Sequence, residues 1–133
     1  MSAKKSRGHD PYGYSEMEWA EKLDPEYAAV RAELRRVAIG EGALSVKVKE
    51  MIVIGILAAR GLQYGVTAHM RNAVKHGATF DELFECLKAA HIPGGGMAYS
   101  VGIRSLQELA QAGVFKKTLP AKPSRRQRRK AKR

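Results

Sequence analysis

The sequence predicts an all-α fold, a compact bundle of about six helices, and three observations carry that reading. Gly and Pro punctuation cuts residues 15–115 into helical lengths, apolar residues recur at three-and-four spacing between the breaks, and no stretch alternates as a strand with turn signals would. Ser15 with Glu18 forms a capping-box pattern that opens a short first helix through Trp19 to about Leu23. Asp24 caps the second, with Pro25 at its first helical position; Tyr27, Val30, Leu34, Val37 and Ala38 give it an apolar face and Gly40 stops it. Ser45 caps a third helix running to about Arg60, which is apolar around most of its circumference and is therefore expected to be buried. Gly61 and Gly65 bracket a short connection to a fourth helix, antiparallel to the third, that carries His69, Ala73 and His76 and ends at Gly77. Thr79 with Glu82 repeats the capping box and starts a fifth helix, which His91-Ile92-Pro93 and glycines 94 to 96 should terminate. A sixth runs from about Met97 to Ala112, before Gly113.

A chain of 133 residues is enough for one domain and too short for two of ordinary size. The expected organisation is an N-terminal extension at 1–14, a helical domain at 15–115 and a basic tail at 116–133. The formal charge of +11 is unevenly placed: ten of the 24 basic residues lie between Lys116 and Arg133 with no acid among them, leaving 14 basic against 13 acidic groups elsewhere. That tail reads as a disordered, solvated segment, and the same charge suits weak, non-specific contact with nucleic acid or an anionic surface. One cysteine excludes an intramolecular disulfide framework and fits a reducing compartment. The longest apolar run, Met51 to Ala59, is about half of the ~20 residues that a bilayer requires, and no apolar segment follows the first lysines, so neither a transmembrane segment nor a secretory signal is expected and the cytoplasm is the default.

Among residues able to do chemistry, Glu50 stands out because it interrupts Val46, Val48, Met51, Ile52, Val53 and Ile54. Burial alone would raise its pKa. It is either a structural carboxylate, paired with Lys47, Lys49 or Arg60, or a general acid or base. Folding the third and fourth helices back to back about Gly61 brings Glu50 and His69 within roughly one helical turn along the axis, at about 1.5 Å per residue. His76, seven positions from His69, lies about 10 Å further along, too far for one metal ion to bridge, and no metal site is expected. It reads as a charge at the helix C-terminus. Arg71 points about 200° away from His69, against joint action within one subunit. Cys86 falls among Leu83, Phe84 and Leu87 as a core hydrophobe, on a different face from His91. The triple glycine lacks the Lys-Ser/Thr of a Walker loop and reads as a close interhelical turn.

The segment Leu44-Ser45-Val46-Lys47-Val48-Lys49-Glu50, an apolar helix, and then His69-Met70-Arg71-Asn72-Ala73-Val74-Lys75-His76-Gly77-Ala78-Thr79-Phe80-Asp81-Glu82-Leu83 together resemble the carboxymuconolactone decarboxylase and alkyl hydroperoxidase D-like superfamily. The likeness extends from Asp24 to about Leu109. It implies the superfamily's all-helical fold, assembly into trimers or hexamers, and a site at the buried histidine near a subunit interface. Where the peroxidase branch carries Cys-x-x-Cys, this chain has Leu62 and Gly65, so the dithiol cycle cannot run there. Gly65 also stands where the decarboxylase branch carries a glutamate. What the resemblance leaves in place is His69 and Glu50, with Tyr64 where the hydroperoxidase pattern has a proton-relaying histidine.

The function this implies is a cofactor-free acid/base lyase acting on a small unsaturated acid or lactone by decarboxylation, isomerisation or dehydration. His69 would move the proton, Glu50 would orient the imidazole, and Tyr64 or glycine-turn amides would hold the oxyanion. The competing readings are a non-catalytic helical oligomer serving as a binding or scaffold module, and an alkyl hydroperoxidase or peroxiredoxin-type antioxidant using Cys86.

Overall fold

The computed structural model describes residues 10–115 and, beyond them, Arg129 and Lys132; the tail expected at 116–133 lies, those two residues apart, outside the described part, as do the first nine residues of the N-terminal extension. Among the described residues the chain forms five helices and no strand: α1 (Ser15–Leu23), α2 (Pro25–Ile39), α3 (Val46–Ala59), α4 (Gln63–Lys75) and α5 (Phe80–Gln111). The all-α class is therefore observed, with one fewer separate helix than expected.

The helix starts follow local chemistry at three of the four capping positions read from the sequence. Asp24 Oδ1 accepts the Tyr27 N–H at 2.9 Å, Ser45 Oγ accepts that of Val48 at 3.2 Å, and Thr79 and Glu82 make the reciprocal capping box. α1 differs: Tyr14 is its N-cap and Ser15 its first helical residue. The Tyr14 N–H is bound to Asp10 Oδ2 at 3.1 Å, so the preceding segment sets where the helix begins.

α5 is the other departure. Helical structure continues through the stretch expected to end it, and the break contracts to Gly95, whose φ of 74° and ψ of −173° join two helical halves across a kink. Pro93 contributes no N–H to the helix, and Gly95 absorbs the backbone turn that an L-residue resists. The neighbouring Gly94 sits against α3: a Cβ there would lie 2.8 Å from Ala98 Cβ and 3.1 Å from Ala59 Cβ. The close approach expected of this glycine run is thus made by Gly94.

α3 packs against both α4 and α5, and α4 packs against α5. Their shared core holds Ile54, Ala58, Val66, Met70, Leu83, Leu87 and Leu109, all fully buried. α4 starts earlier than expected, at Gln63, and Gly65 lies within it; a Cβ there would come 3.0 Å from Leu57 Cδ1, so a small residue lets α4 close on α3. Gly61 and Gly77, both at positive φ, turn the chain at either end of α4.

The expectation that α3 is buried all round holds for one face only. Val46, Glu50, Ile54 and Ala58 form its buried stripe at four-residue spacing, while Ile52 is 49% and Ile56 is 56% exposed. The apolar face of α2 also lies open: α2 has no buried residue, and Tyr27, Val30, Leu34 and Val37 are exposed. Among the described residues no helix is long and apolar enough to cross a membrane.

Gly94→Ala is expected to lower stability by about 1–3 kcal/mol, because neither Ala59 nor Ala98 has a rotamer with which to yield, and this outweighs the ~1 kcal/mol of helix propensity that alanine would add. The urea midpoint of the variant checks this.

Candidate active site

Glu50 lies on the buried stripe of α3 and is wholly removed from solvent, so every lone pair of its carboxyl must be met from inside the protein. None of the cations weighed as partners does so: Lys47 pairs with Glu82 at 2.9 Å and Lys49 donates to the Gly40 carbonyl at 2.6 Å, while no ion pair joins Arg60 to Glu50 among the described residues. The donors come from α4 and from the segment before α1. His69 Nδ1 stands 2.6 Å from Glu50 Oε2, Asn72 Nδ2 donates to Oε1 at 2.8 Å, and the Tyr12 hydroxyl donates to the same oxygen at 2.9 Å. Asn72 follows His69 by three residues, so one face of α4 delivers both.

Burial pushes the Glu50 carboxyl up, as the sequence suggested, but the hydrogen bonds from His69, Asn72 and Tyr12, with the charge of His69, outweigh it and hold the group below its ordinary 4.5. Glu50 is therefore ionised at neutral pH. An ionised carboxylate can only accept, so the proton in the 2.6 Å contact belongs to Nδ1 and the other ring nitrogen, Nε2, is left to react. Nε2 has no hydrogen-bond partner among the described residues, and the His69 side chain retains 15% of its exposure. The Tyr12 ring lies over the imidazole with centroids 4.1 Å apart. Burial and the adjacent Glu50 drive the Tyr12 phenol well above its ordinary range, which keeps it a hydrogen-bond donor.

A pocket of about 450 Å³ opens on the Tyr12 side of this group, walled by Tyr12 and Gly13, by Gln63, Tyr64, Thr67, Ala68 and Arg71 of α4, and by Glu108 of α5; neither Glu50 nor His69 is part of its wall. Tyr64 belongs to this wall and packs on Tyr14 at 4.9 Å; no hydrogen bond joins it to His69 or Glu50 among the described residues. Arg71 points away from His69 along α4, as its spacing requires, yet shares the pocket with Tyr12, which touches His69. The glycines at 94–96 are not part of the wall.

The expected meeting of Glu50 and His69 is observed, and sequence reasoning missed two further hydrogen-bond and ring partners of the pair. Asn72 carried a signal, since His-x-x-Asn puts both side chains on one helix face. Tyr12 carried none, being 38 residues from the carboxylate that it binds. The remaining candidates stand apart from the pair. Cys86 donates its thiol to the Met51 carbonyl at 3.2 Å and burial pushes its pKa up, away from the thiolate. His91 stacks on Tyr99, and His76 caps the C-terminus of α4. Among the described residues no three His, Cys, Asp or Glu side chains gather as metal ligands.

A carboxylate whose folded pKa is depressed stabilises the protein above its ordinary value, and that contribution disappears as pH falls through the folded value. Thermal melting followed downward from about pH 5 should show the wild type losing stability below about 4.5, with a shallower loss in Glu50→Gln.

No curated protein matches the chain. A crystal structure of a protein from Burkholderia xenovorans, provisionally assigned as a carboxymuconolactone decarboxylase, superposes with a TM-score of 0.64 over 79% of this chain and 85% of that one, at 21% identity, and so shares the fold. The sequence model of the carboxymuconolactone decarboxylase family matches residues 25–108. The matched stretch runs from the first turn of α2 to the last turn of α5, spans well over half of the chain and includes both Glu50 and His69, and on that match the chain belongs to the carboxymuconolactone decarboxylase family.

Proposed function

We propose that the protein is a cofactor-free acid/base lyase acting on a small unsaturated acid or lactone. The observation that supports this best is the Glu50–His69 contact: a buried, ionised carboxylate 2.6 Å from Nδ1, with Nε2 unengaged among the described residues and the Tyr12 ring, which touches the imidazole, also walling a pocket of about 450 Å³. A fixed carboxylate holds the imidazole in one tautomer and stabilises the cation formed when Nε2 takes a proton. Decarboxylation would proceed by cleavage of the bond to the carboxylate carbon, release of CO2 and passage of the electron pair into the conjugated carbonyl. Nε2, having first taken a proton from the substrate's carboxylic acid group, would then deliver it to the carbon that lost CO2. Isomerisation would likewise begin with Nε2 as base. The Tyr64 phenol, from the pocket wall, would offer a donor for the developing oxyanion.

The protein would act as an oligomer. Trp19, Tyr27, Val30, Leu34 and Val37 on the α1–α2 hairpin and Ile52 and Ile56 on α3 are large apolar side chains left exposed, and burying them against a second copy would remove that surface from water. The same exposure is what favours the second reading, a binding or scaffold module that keeps the fold without the chemistry.

Thermal-shift screening of small unsaturated acids and lactones should identify a ligand, since saturation at 100 times Kd adds about 2.7 kcal/mol. With that ligand as substrate, His69→Gln, which can still donate to Glu50, should lose about 10²–10⁴-fold in kcat while binding persists. Turnover equal to wild type would reject the acid/base role and leave the scaffold reading. Light scattering should find a homo-oligomer that Leu34→Asp dissociates; a monomeric wild type would refute the assembly.

A further inference from the structure

Residues 10–14 precede both α1 and the stretch that the family model matches, yet they reach the centre of the site. Tyr12 makes two contacts there, its hydroxyl to Glu50 Oε1 at 2.9 Å and its ring to the His69 ring at 4.1 Å, and the same ring walls the pocket. The segment is pinned at its flanks. Asp10 is buried, lies 3.5 Å from Arg35 Nη1 on α2 and accepts the Tyr14 N–H, while Arg35 sits 5.8 Å over the Tyr12 ring and Tyr14 packs on Tyr64. Backbone bonds hold the ends of the segment, the Gly13 N–H to the Asp10 carbonyl at 3.3 Å and the Met17 N–H to the Tyr14 carbonyl at 3.0 Å, whereas Tyr12 lies outside any helix and its contacts among the described residues are those of its side chain. The Tyr12 side chain can therefore swing away while Asp10 and Tyr14 keep the start of α1 in place.

We propose that Asp10–Tyr14 is a strap over the acid/base centre, with Tyr12 as a positioning residue that a ligand entering the pocket displaces from His69. The inference rests on the acid/base reading of Glu50 and His69 and adds its regulation. With the strap closed, Glu50 divides its negative charge among three donors and the Tyr12 ring covers one face of the imidazole. Lifting Tyr12 removes one donor, so more of the carboxylate's charge falls on the His69 bond, and it removes the ring that stands between the imidazole and the pocket, whose wall includes Tyr12 and not His69. The base is then strengthened when it is needed and shielded from solvent when it is not.

Two measurements on the full chain test this without any turnover. The first is carbethoxylation of the four histidines by diethyl pyrocarbonate, followed residue by residue with peptide mass spectrometry. In the wild type His69 should react more slowly than the exposed His76 and His91; Tyr12→Ala should raise the His69 rate roughly tenfold, about what one lost ring contact and one lost hydrogen bond represent, with the other two unchanged. Asp10→Asn, which weakens only the anchor to Arg35, should give a smaller rise and serves in place of Tyr12→Ala if that variant fails to fold. The second is the NMR resonance of the His69 Nδ1 proton, which Tyr12→Phe should move downfield because Glu50 has lost a competing donor. A His69 rate that stays level with wild type in both strap variants, or an Nδ1 proton unmoved by Tyr12→Phe, overturns the strap. Because neither readout needs catalysis, an inactive protein can still pass this test, and an active one can still fail it.

Discussion

A carboxylate with no solvent on a helix that has no donor to offer it is the constraint around which this molecule is arranged. Glu50 shares its stripe of α3 with Val46, Ile54 and Ala58, and the two lysines nearest to it are engaged elsewhere. Leaving an ion there without partners would cost several kcal/mol, comparable to the whole stability of a small domain. The fold meets the cost by drawing donors from two other parts of the chain, His69 and Asn72 from α4 and Tyr12 from the segment before α1. Stability and chemistry are joined here: the three bonds that make burial tolerable are also what keep the carboxyl ionised and the imidazole in one orientation.

The helices reach the separation that these bonds require because small residues stand where they cross. Gly65 lets α4 close on Leu57 of α3, and Gly94 lets α5 settle against Ala59 in the same last turn of that helix. Gly61, at positive φ, makes the reversal between α3 and α4 short enough that positions nineteen apart in sequence meet side by side. A second polar tie, from Thr67 Oγ1 to the buried Ser105 Oγ at 2.8 Å and on to the Gln63 carbonyl at 3.3 Å, fixes the start of α4 against α5 beneath the pocket. The pocket thus has a rigid floor of packed helices and a wall, at Tyr12 and Gly13, that belongs to no helix.

That wall is anchored through Arg35, and Arg35 belongs to α2. The α1–α2 hairpin buries no residue of its own and meets the body mainly where α2 touches α3, while its apolar side chains look outward. The exposed helix α2 thus reaches the pocket wall by way of one guanidinium, that of Arg35.

Much of the helical scaffold was legible because it is governed by local hydrogen bonding. The caps at Asp24, Ser45 and Thr79, the stops at Gly40, Gly77 and Gly113, and the antiparallel return about Gly61 all depend on residues within a few positions of one another. Glu50 and His69 were legible for a related reason: a hairpin of two helices converts sequence separation into axial distance. The beginning of α1 and the continuity of α5 were not, since the first is set by Asp10 binding the Tyr14 N–H and the second by a kink confined to Gly95.

By itself, then, the sequence determined the helical class, most helix limits and the meeting of a carboxylate with an imidazole. Only the tertiary structure decided that the carboxylate is held below its ordinary pKa despite burial, that Tyr12 hydrogen-bonds to it, that Arg71 and Tyr64 share a pocket with Tyr12, and that the outer faces of α2 and α3 stay exposed. The division follows from the range of the forces involved. Caps and turns are settled by bonds between near neighbours, whereas the charge state of a buried group is the sum of donors from every part of the chain that folds against it.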